Sequence, residues 1–97
     1  MQFLVELNLP NPLTKSFIDQ IPAQREVVDA MLYDGVIQGF SLAADWSKAW
    51  LLIEGESESD IFNIVYDLPL ADQMEILVHP LIVSLRPDHI LPVFSQN

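Results

Sequence analysis

Ninety-seven residues, about half of them apolar, are enough for one domain with a single modest core, and they leave apolar surface that favours association with a second copy. Fourteen acidic residues against Lys15, Arg25, Lys48 and Arg86 give a net charge of −10, which repels phosphate backbones and anionic lipid and argues against nucleic acid or membrane partners. No cysteine is present, so disulfides, thiolate catalysis and cysteine-based metal sites are excluded.

The opening residues, MQFLVELNLP, have neither the basic region nor the long apolar core of a secretory signal. Pro80, Arg86 and Pro87 interrupt the one long apolar run before it reaches the roughly 20 residues of a bilayer span, and a cytoplasmic location is expected. Gln2 to Asn8 alternates Phe3, Val5 and Leu7 with Gln2, Leu4, Glu6 and Asn8, the period of a strand. Asn11-Pro12 offers a helix cap followed by proline at the first helical position. Leu13, Phe17, Ile21, Val28, Met31 and Leu32 then fall mostly three and four residues apart, as one helical stripe would. Pro22 begins a second helical segment or kinks a single one, and Gly35 is a natural terminator.

Val36 to Ala44 and Lys48 to Glu54 read as the two strands of a hairpin, with Asp45-Trp46-Ser47 as the break between them. Ser57 or Ser59 caps a second helix, roughly Ser59 to Asp67, whose acidic first turn complements the helix dipole. Leu68-Pro69-Leu70 ends that helix, and Met74 to Leu85 has strand character. Pro80 in its middle cannot donate to a ladder, so this strand lies at an edge or is bulged. The tail from Arg86 to Asn97 carries Ile90, Leu91, Val93 and Phe94, too apolar for solvent, and is expected to pack on a partner subunit.

The order βαββαβ is that of a ferredoxin-like α+β sandwich: an antiparallel four-stranded sheet with two helices on one face, formed here by residues 1–85. Phe3, Val5, Leu7, Ile37, Ala49, Leu51 and Ile53 make an almost purely apolar face suited to the helices. Leu4, Glu6, Gln38, Phe40, Leu42, Lys48, Trp50, Leu52 and Glu54 make a mixed one that two sheets closing into a dimeric α+β barrel would use.

Several side chains stand out along this frame. Trp50 and Phe40 on strands line a pocket or fill an interface, and Trp46 in the hairpin turn packs on a neighbouring chain or closes a pocket. Tyr33 and Tyr66, near helix ends, have hydroxyls that are ordinarily solvent-facing. The run from Glu54 to Asp60 lacks the alternating ligands and central glycine of a calcium loop, and His79 and His89 are too far apart for metal-ligand spacing, so no metal site is expected.

Ile21-Pro22-Ala23-Gln24-Arg25 before Val28 and Leu32, Gly35, Ala44-Asp45, Ser47-Lys48, Glu56-Ser57-Glu58, Leu68-Pro69-Leu70, Met74 and His79-Pro80-Leu81 occur in an order and spacing that resemble the muconolactone isomerase family of the dimeric α+β barrel superfamily. The resemblance covers roughly residues 1 to 85. It implies a homodimer or higher oligomer, without cofactor, that shifts a proton within a small unsaturated lactone or related metabolite. Such chemistry needs one base in a site that excludes water, and the candidates are Glu6 on the mixed face, Glu26 after the Ile-Pro-Ala-Gln-Arg motif, and His79 in the last strand. A Glu6 whose pKa is raised by burial, or a His79 titrating near neutrality, suits the task; a hydrogen-bonded carboxylate at a barrel rim and a packed histidine are the ordinary alternatives. The family carries a basic residue on its first strand where this chain has Glu6, which bears on the substrate. Lys48 and Arg25 are the cations placed to orient an anionic group, with Trp50 and Phe40 as pocket walls. The rival reading is a non-catalytic barrel that binds a small molecule or assembles. A monooxygenase or haem-handling relative is the third, weakened because only His79 offers an axial-ligand setting.

Overall fold

Side-chain alternation in the first strand sets the architecture. A computed structural model of the chain describes residues 1–83 and 85. Strand β1, Gln2–Asn8, has Phe3, Val5 and Leu7 at no more than 2% exposure. It lies between β3, Lys48–Glu54, and β4, Glu75–Leu81, antiparallel to both. Strand β2, Ile37–Leu42, completes the order β2-β3-β1-β4. All seven residues expected to face the helices are buried. Val28, Ile61, Val65, Leu68 and Ala71 close the same core from the helical side, and among the described residues no polar or charged group is buried. An entirely apolar interior confines polar chemistry to the surfaces of the sheet and helices.

The first helical region starts later than the Asn11-Pro12 signal indicates. That peptide bond is cis, and helix α1, Lys15–Asp19, is capped by Thr14, whose hydroxyl accepts from the Phe17 N–H at 3.1 Å. Pro22 begins a second segment rather than kinking one: α2, Ile21–Tyr33, has the proline in its first turn, where the missing donor costs nothing. Gly35 ends α2 at φ +76°, with Val36 N–H donating to Met31 C=O and Gly35 N–H to Leu32 C=O, a Schellman closure. Ser57 caps α3, Glu58–Val65, by accepting from Asp60 N–H, and an apolar ridge of Ile61 and Val65 faces the sheet.

One expectation about the faces is corrected. Pairing steps from Ile37 opposite Ile53 to Gly39 opposite Leu52, so one extra residue lies in β2 at Gln38. Beyond this bulge the alternation changes phase. Phe40 lies opposite Leu51, and Leu42 opposite Ala49, on the helical face, while Ser41 joins Trp50 on the other. Phe40 and Leu42 therefore do not belong to the mixed face.

The hairpin turns through Asp45-Trp46-Ser47 as expected. Trp46 N–H donates to Ala43 C=O, and the Asp45 carboxylate accepts from both the N–H and the hydroxyl of Ser47, at 3.0 and 2.7 Å. Trp46 has φ 63°, a left-handed conformation ordinarily left to Gly or Asn. β4 is an edge strand paired in regular register, which suits Pro80 opposite Phe3. The tail assigned to a partner contact, residues 86–97 with His89, lies outside the described residues.

Candidate functional site

The sheet face away from the helices carries Gln2, Leu4, Glu6 and Asn8 from β1 between Lys48, Trp50, Leu52 and Glu54 from β3 and Glu75, Leu77, His79 and Leu81 from β4. Glu6 stands at its centre, opposite Trp50 on one side and Leu77 on the other. Diagonal neighbours reach it from both flanking strands. Lys48 Nζ donates to Glu6 Oε2 at 3.1 Å, and His79 Nε2 lies 3.8 Å from Oε1, a charge contact rather than a hydrogen bond.

The Glu6 side chain keeps 20% of its exposure, against 44% for Lys48 and 52% for His79. The Lys48 hydrogen bond, helped by the charges of Lys48 and His79, outweighs the opposing effect of burial and holds the Glu6 carboxyl below its ordinary range. Of the two readings of Glu6, this agrees with the hydrogen-bonded carboxylate and not with a base whose pKa burial has raised. An ionised, paired Glu6 is a weak base, and its useful property is a fixed negative charge beside an imidazole.

Leu4, Trp50, Leu52 and Leu77 surround this charged centre with apolar surface. At one end an amide relay closes the face: Gln2 Nε2 donates to Gln38 Oε1 at 2.6 Å, and Gln38 Nε2 to Glu54 Oε2 at 3.2 Å. At the other, Asn8 Nδ2 donates to Glu75 Oε1 at 2.7 Å. Alternation in the sequence puts Gln38 on this face without giving it a role; the glycine following it inside an apolar strand is the local sign of the bulge at which it lies.

The predicted site residues thus separate. Glu6, Lys48, Trp50 and His79 share the open face. Arg25 and Phe40 line a cleft of about 190 Å³ on the helical side of the sheet, floored by Leu7 and Ala49. Arg25 Nε pairs there with Asp29 at 3.0 and 3.1 Å. Glu26 is exposed on α2, and the whole sheet separates it from Glu6. Among the described residues, no three His, Asp or Glu side chains are grouped to hold a metal ion, and no helix is long and apolar enough to cross a membrane.

No family model and no curated protein matches the chain by sequence. Among solved structures, 5-chloro-2-hydroxyhydroquinone dehydrochlorinase from Burkholderia phenoliruptrix, in complex with 2,5-dihydroxybenzoquinone, superimposes with a TM-score of 0.68 over 87% of this chain and 96% of that one. The two chains share the ferredoxin-like α+β fold. At 20% sequence identity the likeness is one of fold alone, and it agrees with the architecture that the muconolactone isomerase motifs imply.

Proposed function

We propose that the open sheet face, closed by the same face of a second copy into a dimeric barrel, binds a small oxygenated ring and shifts a proton within it without a cofactor, in the manner of a muconolactone isomerase. The observation that carries this reading is the convergence of Glu6, Lys48 and His79, ringed by Leu4, Trp50, Leu52 and Leu77, at the centre of a face that no described element covers. His79 removes a proton from the carbon between a carbonyl and a neighbouring carbon–carbon double bond, and negative charge develops on the carbonyl oxygen beside Lys48 as the dienolate forms. The imidazolium returns the proton to a carbon further along the conjugated system, which moves the double bond and leaves the atom count unchanged. Glu6, held ionised, stabilises and orients the imidazolium during the transfer. Trp50 supplies a flat wall, and the second copy excludes water. The quinone bound to the structurally similar dehydrochlorinase is a flat, oxygenated ring of the same size class.

Incubation with unsaturated lactones and hydroxyquinones in D2O, followed by NMR, tests the reading. Deuterium should enter one carbon of an accepted ring, and His79→Gln should slow that exchange by roughly 10²-fold or more. No exchange with any ring, in a chain shown to be folded, rejects the isomerase. A non-catalytic binding role is the second reading, favoured by one specific observation: Glu6 is already neutralised by Lys48. Ligands that perturb Trp50 without any exchange would select it.

A further inference from the structure

The cleft on the helical side is separate from the face just described and holds nothing that a proton shift requires. Phe17 of α1, Val28 of α2 and Leu7, Phe40, Ala49 and Trp46 of the sheet and hairpin wall it. The bulge at Gln38 turns Phe40 and Leu42 towards the helices, yet both remain 38% exposed at the cleft instead of entering the core. Arg25 is the one cation among the wall residues. Asp29 engages its Nε, which leaves the terminal guanidinium nitrogens available to a ligand. Gln24, beside it, is fixed by accepting from Leu70 N–H at 3.1 Å, so this wall is braced. A wider cleft of about 590 Å³ adjoins the first and shares Leu9, Ile21 and Trp46 with it. Trp46, on a backbone at φ 63°, lines both.

We infer that this cleft is a second ligand site, for a single aromatic ring bearing one anionic group, with the ring between Phe40, Val28 and Trp46 and the anion at Arg25. The volume fits: an apolar cavity of roughly 150 Å³ accepts one benzene ring, and this one is about 190 Å³. The charge fits as well, because in a chain of net charge −10 an anion is drawn inwards only where a cation stands at the wall. Trp46 forms the boundary through which the ring passes from the wider cleft, and residues of the open face take no part.

The two tryptophans report on the two sides of the sheet, which separates this site from the proposed catalytic one. In ¹⁵N-labelled chain, with the indole N–H signals assigned through Trp50→Phe, benzoate should shift the Trp46 signal saturably and leave Trp50 in place. Benzyl alcohol should do the same more weakly. Arg25→Gln should weaken benzoate by about fivefold and leave benzyl alcohol unchanged, since only the former uses the cation. Ala49→Met, which fills the floor, should abolish both responses, and Glu6→Gln should alter neither. If Ala49→Met does not fold, the charge-selective loss in Arg25→Gln, at an exposed position, decides alone. No saturable Trp46 shift, a parallel shift of Trp50, or a response removed by Glu6→Gln would each overturn the inference.

Discussion

A carboxylate between an ammonium group at 3.1 Å and an imidazole at 3.8 Å stays ionised further into acid than a free one. Its folded pKa lies below the unfolded value, so Glu6 contributes stability that is complete above the ordinary carboxylate range and is lost as pH falls through the folded value. Asp45 acts in the same direction, because the Ser47 hydroxyl and N–H hold its carboxyl low. Thermal melts between about pH 6 and about pH 3 should therefore fall less steeply in Glu6→Gln than in the native chain, with the remaining slope partly due to Asp45. An unchanged slope would show that Lys48 does not hold Glu6 in solution. Trp46 is the opposite kind of residue, one that costs stability. A left-handed backbone at a bulky side chain is unfavourable by about 1–2 kcal/mol.

Among the elements, β2 separates the two sides of the molecule. Its extra residue at Gln38 sends Phe40 and Leu42 to the helical cleft and Ser41 to the open face, and it lets the Gln38 amide bridge Gln2 and Glu54. Deletion of Gln38 should remove the bulge and keep both faces, because Gly39 then follows Ile37 directly opposite Leu52, and Phe40 and Leu42 stay on the helical side. Only the amide bridge between Gln2 and Glu54 is lost, which predicts a decrease of about 1 kcal/mol in urea denaturation. A much larger loss would show that the strand slips in register instead, carrying Phe40 and Leu42 to the open face. The hairpin beyond it also differs from an ordinary tight turn, since Trp46 occupies a position where Gly would have served the backbone better.

At the scale of the whole molecule, helices cover one face of a four-stranded sheet, and no described element covers the other. Leu77 on that face is 38% exposed, and Ile82 and Val83 just beyond β4 are 97% and 65% exposed. Such surface is what a second copy would bury. Native mass spectrometry should then show a dimer or a multiple of it. Leu77→Lys should move the population towards monomer and leave the far-UV circular dichroism unchanged, because the side chain is outside the core. A native chain that is monomeric at micromolar concentration would remove the water-excluding half of the proposed site, and with it the isomerase reading.

Local pattern was sufficient for the strand at Gln2–Asn8, the stop at Gly35 and all seven sheet residues of the core, and it narrowed Pro22 to a new segment or a kink, the cap to Ser57 or Ser59, and the last strand to an edge or a bulged one. Each of these depends on neighbours only a few residues away, through side-chain period, missing donors or permitted φ. Tertiary structure alone decided the phase of β2 after Gln38, because a bulge is a property of the pairing with β3, and that one residue moved Phe40 to the far side of the sheet from Trp50. It also decided which charges meet. Glu6 and Lys48 are 42 residues apart in sequence, and only the register of β1 against β3 and β4 brings Lys48 and His79 to the two sides of one carboxylate and lowers a pKa that burial by itself would have raised.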